Sequence, residues 1–168
     1  MTKLSLRLAP LLVLAAAGAA HAGGKEGSIG VGGEVTLSGN GLGGGAASVN
    51  YDAGIFHVGG YIGLQDPAGG DNTDFEVGAR FYYHVHSTLS SDFGIGGTLE
   101  LASIDRVRPL NRATELFIQP GFQFRSFLNG GNVALSLSGG LTIGAVDADG
   151  LSLGAQFNAL AGLHYYFF

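Results

Sequence analysis

Four histidines, His57, His84, His86 and His164, fall on the same parity of a chain in which polar and apolar residues alternate. Imidazoles converging in a confined space could ligate a metal or titrate as a switch. No carboxylate or cysteine joins them at ligand spacing, so no metal or other cofactor is expected, and the alternative is a polar, partly hydrated cluster. The same parity carries Glu34, Glu76, Arg80, Glu100, Glu115 and Arg125. With simple hairpin registers Glu76 and Arg80 lie two same-face steps apart, Glu100 on the next strand is diagonal to Arg80, and Glu34, Glu115 and Arg125 reach the same interior. Charges enclosed together must pair, because an unpaired one there is expensive. A third group, Arg106, Arg108 and Arg112, sits in a loop between strands. Guanidinium groups there suit phosphates or a partner's acidic groups, with an ordinary solvated loop as the alternative.

Such residues need elements of period two to hold them, and alternation marks eight candidate strands. The first runs from Ser28 to Ser38, with Ile29, Val31, Val35 and Leu37 opposing Gly30, Gly32, Glu34 and Thr36. A second, Ala46 to Asp52, is short and weak, and a third spans Ile55 to Leu64. The fourth, Asp74 to His86, is the clearest: Phe75, Val77, Ala79, Phe81, Tyr83 and Val85 alternate with Glu76, Gly78, Arg80, Tyr82, His84 and His86. The fifth covers Asp92 to Ile104, and the sixth Thr114 to Phe127, where Pro120 suggests a bulge. The seventh is Val133 to Val146, and the eighth runs to the last residue. Two uncharged runs, 126–146 and 150–168, are long enough to cross a membrane as helices, but Gly, Ser and Asn interrupt them at every second position, which argues strand.

At the N-terminus, Lys3 and Arg7 precede an apolar stretch from Leu8 to Ala20, followed by Ala20-His21-Ala22. Basic, then apolar, then small is the order of a cleaved secretory signal, with residues 1–22 removed and 23–168 forming one domain. Losing Lys3 and Arg7 takes the net charge from −5 to −7, which gives no reason to expect a nucleic-acid partner. There is no cysteine, so no disulfide framework holds the exported fold. Charged residues make up 12% and mean hydropathy is +0.30, whereas a soluble domain carries about 25% charge. The chain lacks the charge to coat a water-facing surface.

Alternation alone does not say which parity faces in, and glycine decides it. Gly30, Gly32, Gly59, Gly63, Gly78, Gly94, Gly96, Gly121, Gly140, Gly144 and Gly154 share the polar face. Glycines weaken strands and gain nothing on a surface, but they make room inside a narrow eight-stranded barrel. The polar face therefore points inward and an almost continuously apolar face points outward, tolerable in lipid and a hazard in water. If the N-terminus starts in the periplasm, Phe56, Phe81, Tyr83, Phe93, Phe122, Phe124, Tyr165 and Phe167 all lie toward the periplasmic ends of their strands, as one interfacial girdle. Phe75 and Phe157 supply a sparser one opposite.

Eight strands of about ten residues, this facing and the ending His164-Tyr165-Tyr166-Phe167-Phe168 together resemble the small outer-membrane barrels of the OmpA/OmpX type, over the whole processed chain. The fold implied is all-β: a closed, antiparallel, up-and-down transmembrane barrel with a polar, glycine-rich, largely filled lumen. The resemblance also implies an internal acid and arginine network that plugs the barrel, and a terminal aromatic alternation, Tyr166 and Phe168, presented to the outer-membrane assembly machinery. That alternation runs back to His164 and Gly162, whereas the more apolar register is Phe167, Tyr165 and Leu163. Either a bulge lies near the end of the last strand or the facing shifts by one residue. A structural, adhesion or surface-interaction role is expected, with outer-membrane lipid and lipopolysaccharide as contacts and a monomer as the state. A narrow channel for small polar solutes is the alternative. A lipid A deacylase or acyltransferase is less favoured, because His84-Val85-His86-Ser87 lacks the His and Ser two apart of such deacylases and lies at the wrong end.

Overall fold

The computed structural model describes residues 24–38, 41–65, 73–104, 113–128, 131–146 and 155–167. Within them alternation becomes eight strands: β1 (Ile29–Ser38), β2 (Gly41–Asp52), β3 (Phe56–Gln65), β4 (Asp74–Ser87), β5 (Ser91–Ile104), β6 (Ala113–Leu128), β7 (Val133–Val146) and β8 (Ala155–Phe167). Each pairs antiparallel with its neighbour in sequence, and β8 returns to β1, closing an up-and-down barrel. Closure pairs backbone donors and acceptors around the wall and abolishes the sheet edge.

At one end short turns join β2 to β3, β4 to β5 and β6 to β7; this is called the turn end. Gly54 and Gly131 there adopt φ of 83° and 98°, a left-handed backbone that an L side chain resists. The chain just before β1 lies at the same end, where Gly27 N–H donates to the Asp52 carbonyl at 2.8 Å.

Facing follows the glycine argument. Large apolar side chains cover the outside, among them Ile95, Leu99, Ile118, Leu141 and Leu163, each about half exposed. Glu34, Arg80, Asp92, Gln123, Arg125 and His164 are buried inside. Tyrosine rings lie across lumenal glycines: a Cβ on Gly30 would stand 2.6 Å from the Tyr166 ring, and one on Gly78 would stand 2.2 Å from that of Tyr61. The small residue is what lets an aromatic ring lie flat in so narrow a lumen. Outside, the expected aromatic girdle gathers toward the turn end, with Phe56 against Phe81 at 5.4 Å, Phe93 against Phe122 at 5.9 Å and Tyr165 against Phe167 at 5.1 Å between ring centroids.

Four expectations need correction. β2 is not short: its glycine-rich start, Gly41 to Gly45, carries no alternation to read, yet its backbone pairs with β1 through a register shift between Val35 and Leu37. His86 does not face the lumen. A shift between His84 and His86 in the β4–β5 ladder adds a residue to β4, so His86 is exposed and Ser87 is buried. Pro120 makes no bulge: Gly97 faces it across β5, and toward β7 the register is the same on both sides, with Ile118 opposite Ile143 and Gly121 opposite Gly140. The last strand has no bulge either. Its pairing with β1 and β7 is uninterrupted, and Leu163, Tyr165 and Phe167 point out while His164 and Tyr166 point in. Tyr166, 0% exposed, belongs to the lumen.

Candidate functional site

The lumen holds three layers of polar side chains. The first, at the turn end, centres on Arg125, which projects inward from β6. Its Nε donates to Asp92 Oδ1 at 3.0 Å and its Nη2 to Asp92 Oδ2 at 2.7 Å, a two-pronged grip. Nη2 also reaches Asp52 Oδ2 at 2.7 Å, and Nη1 donates to the Tyr166 hydroxyl at 3.0 Å. Phe127 lies 5.1 Å from the guanidinium carbon, and with Ala134 and Tyr166 it forms an apolar floor. Arg125, Asp52 and Asp92 are all essentially sealed from solvent.

Two histidines extend this layer. The Gly54 carbonyl can only accept, so His84 donates to it from Nδ1 at 2.7 Å. His84 Nε2 lies 3.0 Å from Arg125 Nη2, whose two hydrogens already serve Asp52 and Asp92, and 2.9 Å from His57 Nδ1. His57 stacks on Tyr82, 5.4 Å between centroids.

Asp52, His84 and Asp92 bring ligand atoms within 4.8 Å of one another, so carboxylates do join the histidines, contrary to the expectation from spacing. The Arg125 guanidinium occupies their centre, and a cation already bonded to both carboxylates leaves the group serving an internal ion pair rather than a metal. Neither aspartate was among the expected charges. Both stand at strand ends, where the side chain reads as turn chemistry, although parity already aligned Asp52 with Ser48 and Asn50, and Asp92 with Gly94.

The middle layer is the Glu34–Arg80 pair, joined at 2.7 Å through both terminal guanidinium nitrogens, with both side chains 2% exposed. His164 Nε2 approaches Glu34 Oε1 at 3.2 Å and Ser48 Oγ at 2.6 Å. Serine, histidine and carboxylate here invite comparison with a hydrolytic triad. Both contacts use the same imidazole nitrogen, however, whereas a relay needs the acid on one and the serine on the other.

In the third layer the Tyr61 hydroxyl donates to Glu100 Oε2, which also accepts from Gln119 Nε2 at 3.2 Å. Glu76 is half-buried over Gly63, and Glu115 is buried. The expected single network is therefore split. Arg80 takes Glu34 rather than Glu76 or Glu100, and Arg125 takes two aspartates rather than any of the glutamates. Between the layers, a void of about 10 Å³ among Tyr82, Gln119, Ser138 and Leu160 holds no more than about one water.

Arg106, Arg108, Arg112, Phe157, Phe168 and the segment 1–22 lie outside the residues whose side chains are described.

No protein family and no curated protein matches the chain. Among solved structures it is similar to Ail, the attachment invasion locus protein of Yersinia pestis, at 14% identity and a TM-score of 0.45, over 85% of this chain and all of that one. The closed eight-stranded meander described above is the architecture of the OmpA/OmpX-type barrels.

Proposed function

We propose that this barrel resides in a bacterial outer membrane as a non-conducting structural or surface-interaction protein. The observation that supports it most is polarity turned inside out. The interior holds Arg125 with two aspartates and Arg80 with Glu34, while the exterior is a wall of exposed Leu, Ile, Val and Phe. A water-soluble barrel of the same strand number would carry the reverse pattern, because apolar area is removed from water at about 25 cal/mol per Å². The Arg125 layer closes the turn end and the Glu34–Arg80 pair crosses the middle, which favours a plugged lumen over a pore. Export through the segment 1–22, assembly through the final strand and lipopolysaccharide contact by Arg106, Arg108 and Arg112 complete the reading. It assigns the chain no catalytic step.

Membrane-extracted protein is expected to migrate differently on gels before and after boiling, and to give no current steps in planar bilayers. A soluble protein with one mobility would sink the membrane placement, and reproducible conductance steps would replace the plug with a channel. Altered lipid A acylation in a deletion strain would bring back the enzyme.

A further inference from the structure

The wall is not equally sealed all round. The β2–β3 ladder begins only at Ala46 opposite Gly63 and runs to Asp52 opposite His57. The hairpins on either side continue beyond it, β1–β2 up to Ser38 opposite Gly41 and β3–β4 up to Gln65 opposite Asp74. Among the described residues the two hairpins therefore part beyond Ala46 and Gly63, at the end away from the turns. A cavity of about 220 Å³ occupies the parting. Thr36, Gly63, Glu76 and a second carboxylate, Asp74, line it from the lumenal parity, and Gly45, Leu64 and Phe75 from the outer face, so residues of both faces border it.

Glu76 stands at this opening. Its carboxylate leans into the notch left by Gly63, where an added Cβ would lie 2.3 Å from Oε1. It makes no hydrogen bond or ion pair among the described residues, and the nearby cation, Arg80, is committed to Glu34. Glu100, on the same side of the lumen, is held by Tyr61 and Gln119, neither of which carries positive charge. A carboxylate at a partly dry opening is stabilised by an external cation and repels an anion. Directly outside, Leu64 is 67% exposed beside Phe75. Acid within and hydrocarbon without complement one kind of molecule.

We propose that the open seam between β2 and β3 docks a cationic amphiphile, its amine head paired with Glu76 and its hydrocarbon chain lying along Leu64 and Phe75. This rests on the outer wall facing lipid. The test is native mass spectrometry of the whole barrel in a neutral maltoside detergent titrated with dodecylamine. One saturable dodecylamine is expected, with neither dodecyl sulfate nor ethylamine retained. Glu76→Gln should weaken retention by about tenfold or more. Gly63→Ala should do the same with every charge in place, because its new methyl displaces the flexible carboxylate from the notch. Should Glu76→Gln lose the folded gel mobility, Gly63→Ala carries the test alone. Equal retention by a folded variant, or retention of dodecyl sulfate or ethylamine as strong as that of dodecylamine, overturns the proposal. Loss of the membrane-bound fraction would instead defeat the lipid-facing wall, so the two failures are distinguishable.

Discussion

Arg125 joins β2, β5 and β8 to its own strand β6 through one guanidinium, bonding Asp52, Asp92 and Tyr166 across sequence separations of up to 73 residues. Removing it strands two carboxylates in a sealed floor. Arg125→Met is therefore expected to lower stability by about 3–5 kcal/mol, read as a shift of the urea midpoint in micelles. An unchanged midpoint would mean that the layer is not held as described. The Glu34–Arg80 pair tests a subtler point. Deleting either partner leaves a buried charge, whereas replacing both by apolar groups of similar volume removes two desolvation penalties together. Glu34→Leu with Arg80→Met should thus be less destabilising than either single change, and additive losses would contradict the pairing. Little of this partner choice was legible beforehand. The burial of Arg125 and Arg80 could be read from parity, but Asp52 and Asp92 looked like turn residues, and nothing local tells Arg80 to choose Glu34 on β1 over Glu76 on its own strand.

At the scale of the element, β4 shows where a pattern of period two stops being reliable. One added residue beside His84 turns every later side chain to the opposite face, so the alternation predicts His86 inside and the strand puts it outside. The absence of native cysteine permits a direct check. His86→Cys should react with maleimide in the folded barrel and Ser87→Cys should not; the opposite order would mean an unbulged strand. β8 makes the converse case. The terminal alternation of Tyr166 and Phe168 left the facing of its end open between two registers, but ladders on both sides hold an unbroken register and turn the Tyr166 hydroxyl to Arg125. A bulge leaves no reliable mark in the residues that form it, since it arises when two strands of given turn geometry must keep their hydrogen bonds.

For the molecule as a whole, the deciding property is which side of the closed sheet is dry. Leu99 lies mid-strand on the outer wall, half exposed. In a bilayer Leu99→Arg should cost about 2–4 kcal/mol of folding free energy, measured by reversible urea unfolding from vesicles. On a water-facing wall the same change would be close to neutral, so a loss under about 0.5 kcal/mol would refute the lipid-facing orientation. The sequence by itself determined the number of strands, their approximate spans, the polar lumen and the apolar wall. Each of those is written in residue types two apart along one strand, and the glycine bias tells the faces of every strand apart. Tertiary structure alone decided which charges meet, where β4 gains a residue, how β8 faces at its end and where β2 and β3 part. Those depend on the mutual register of strands that become neighbours only when the barrel closes, and closure satisfies all eight ladders at once rather than any one strand's pattern.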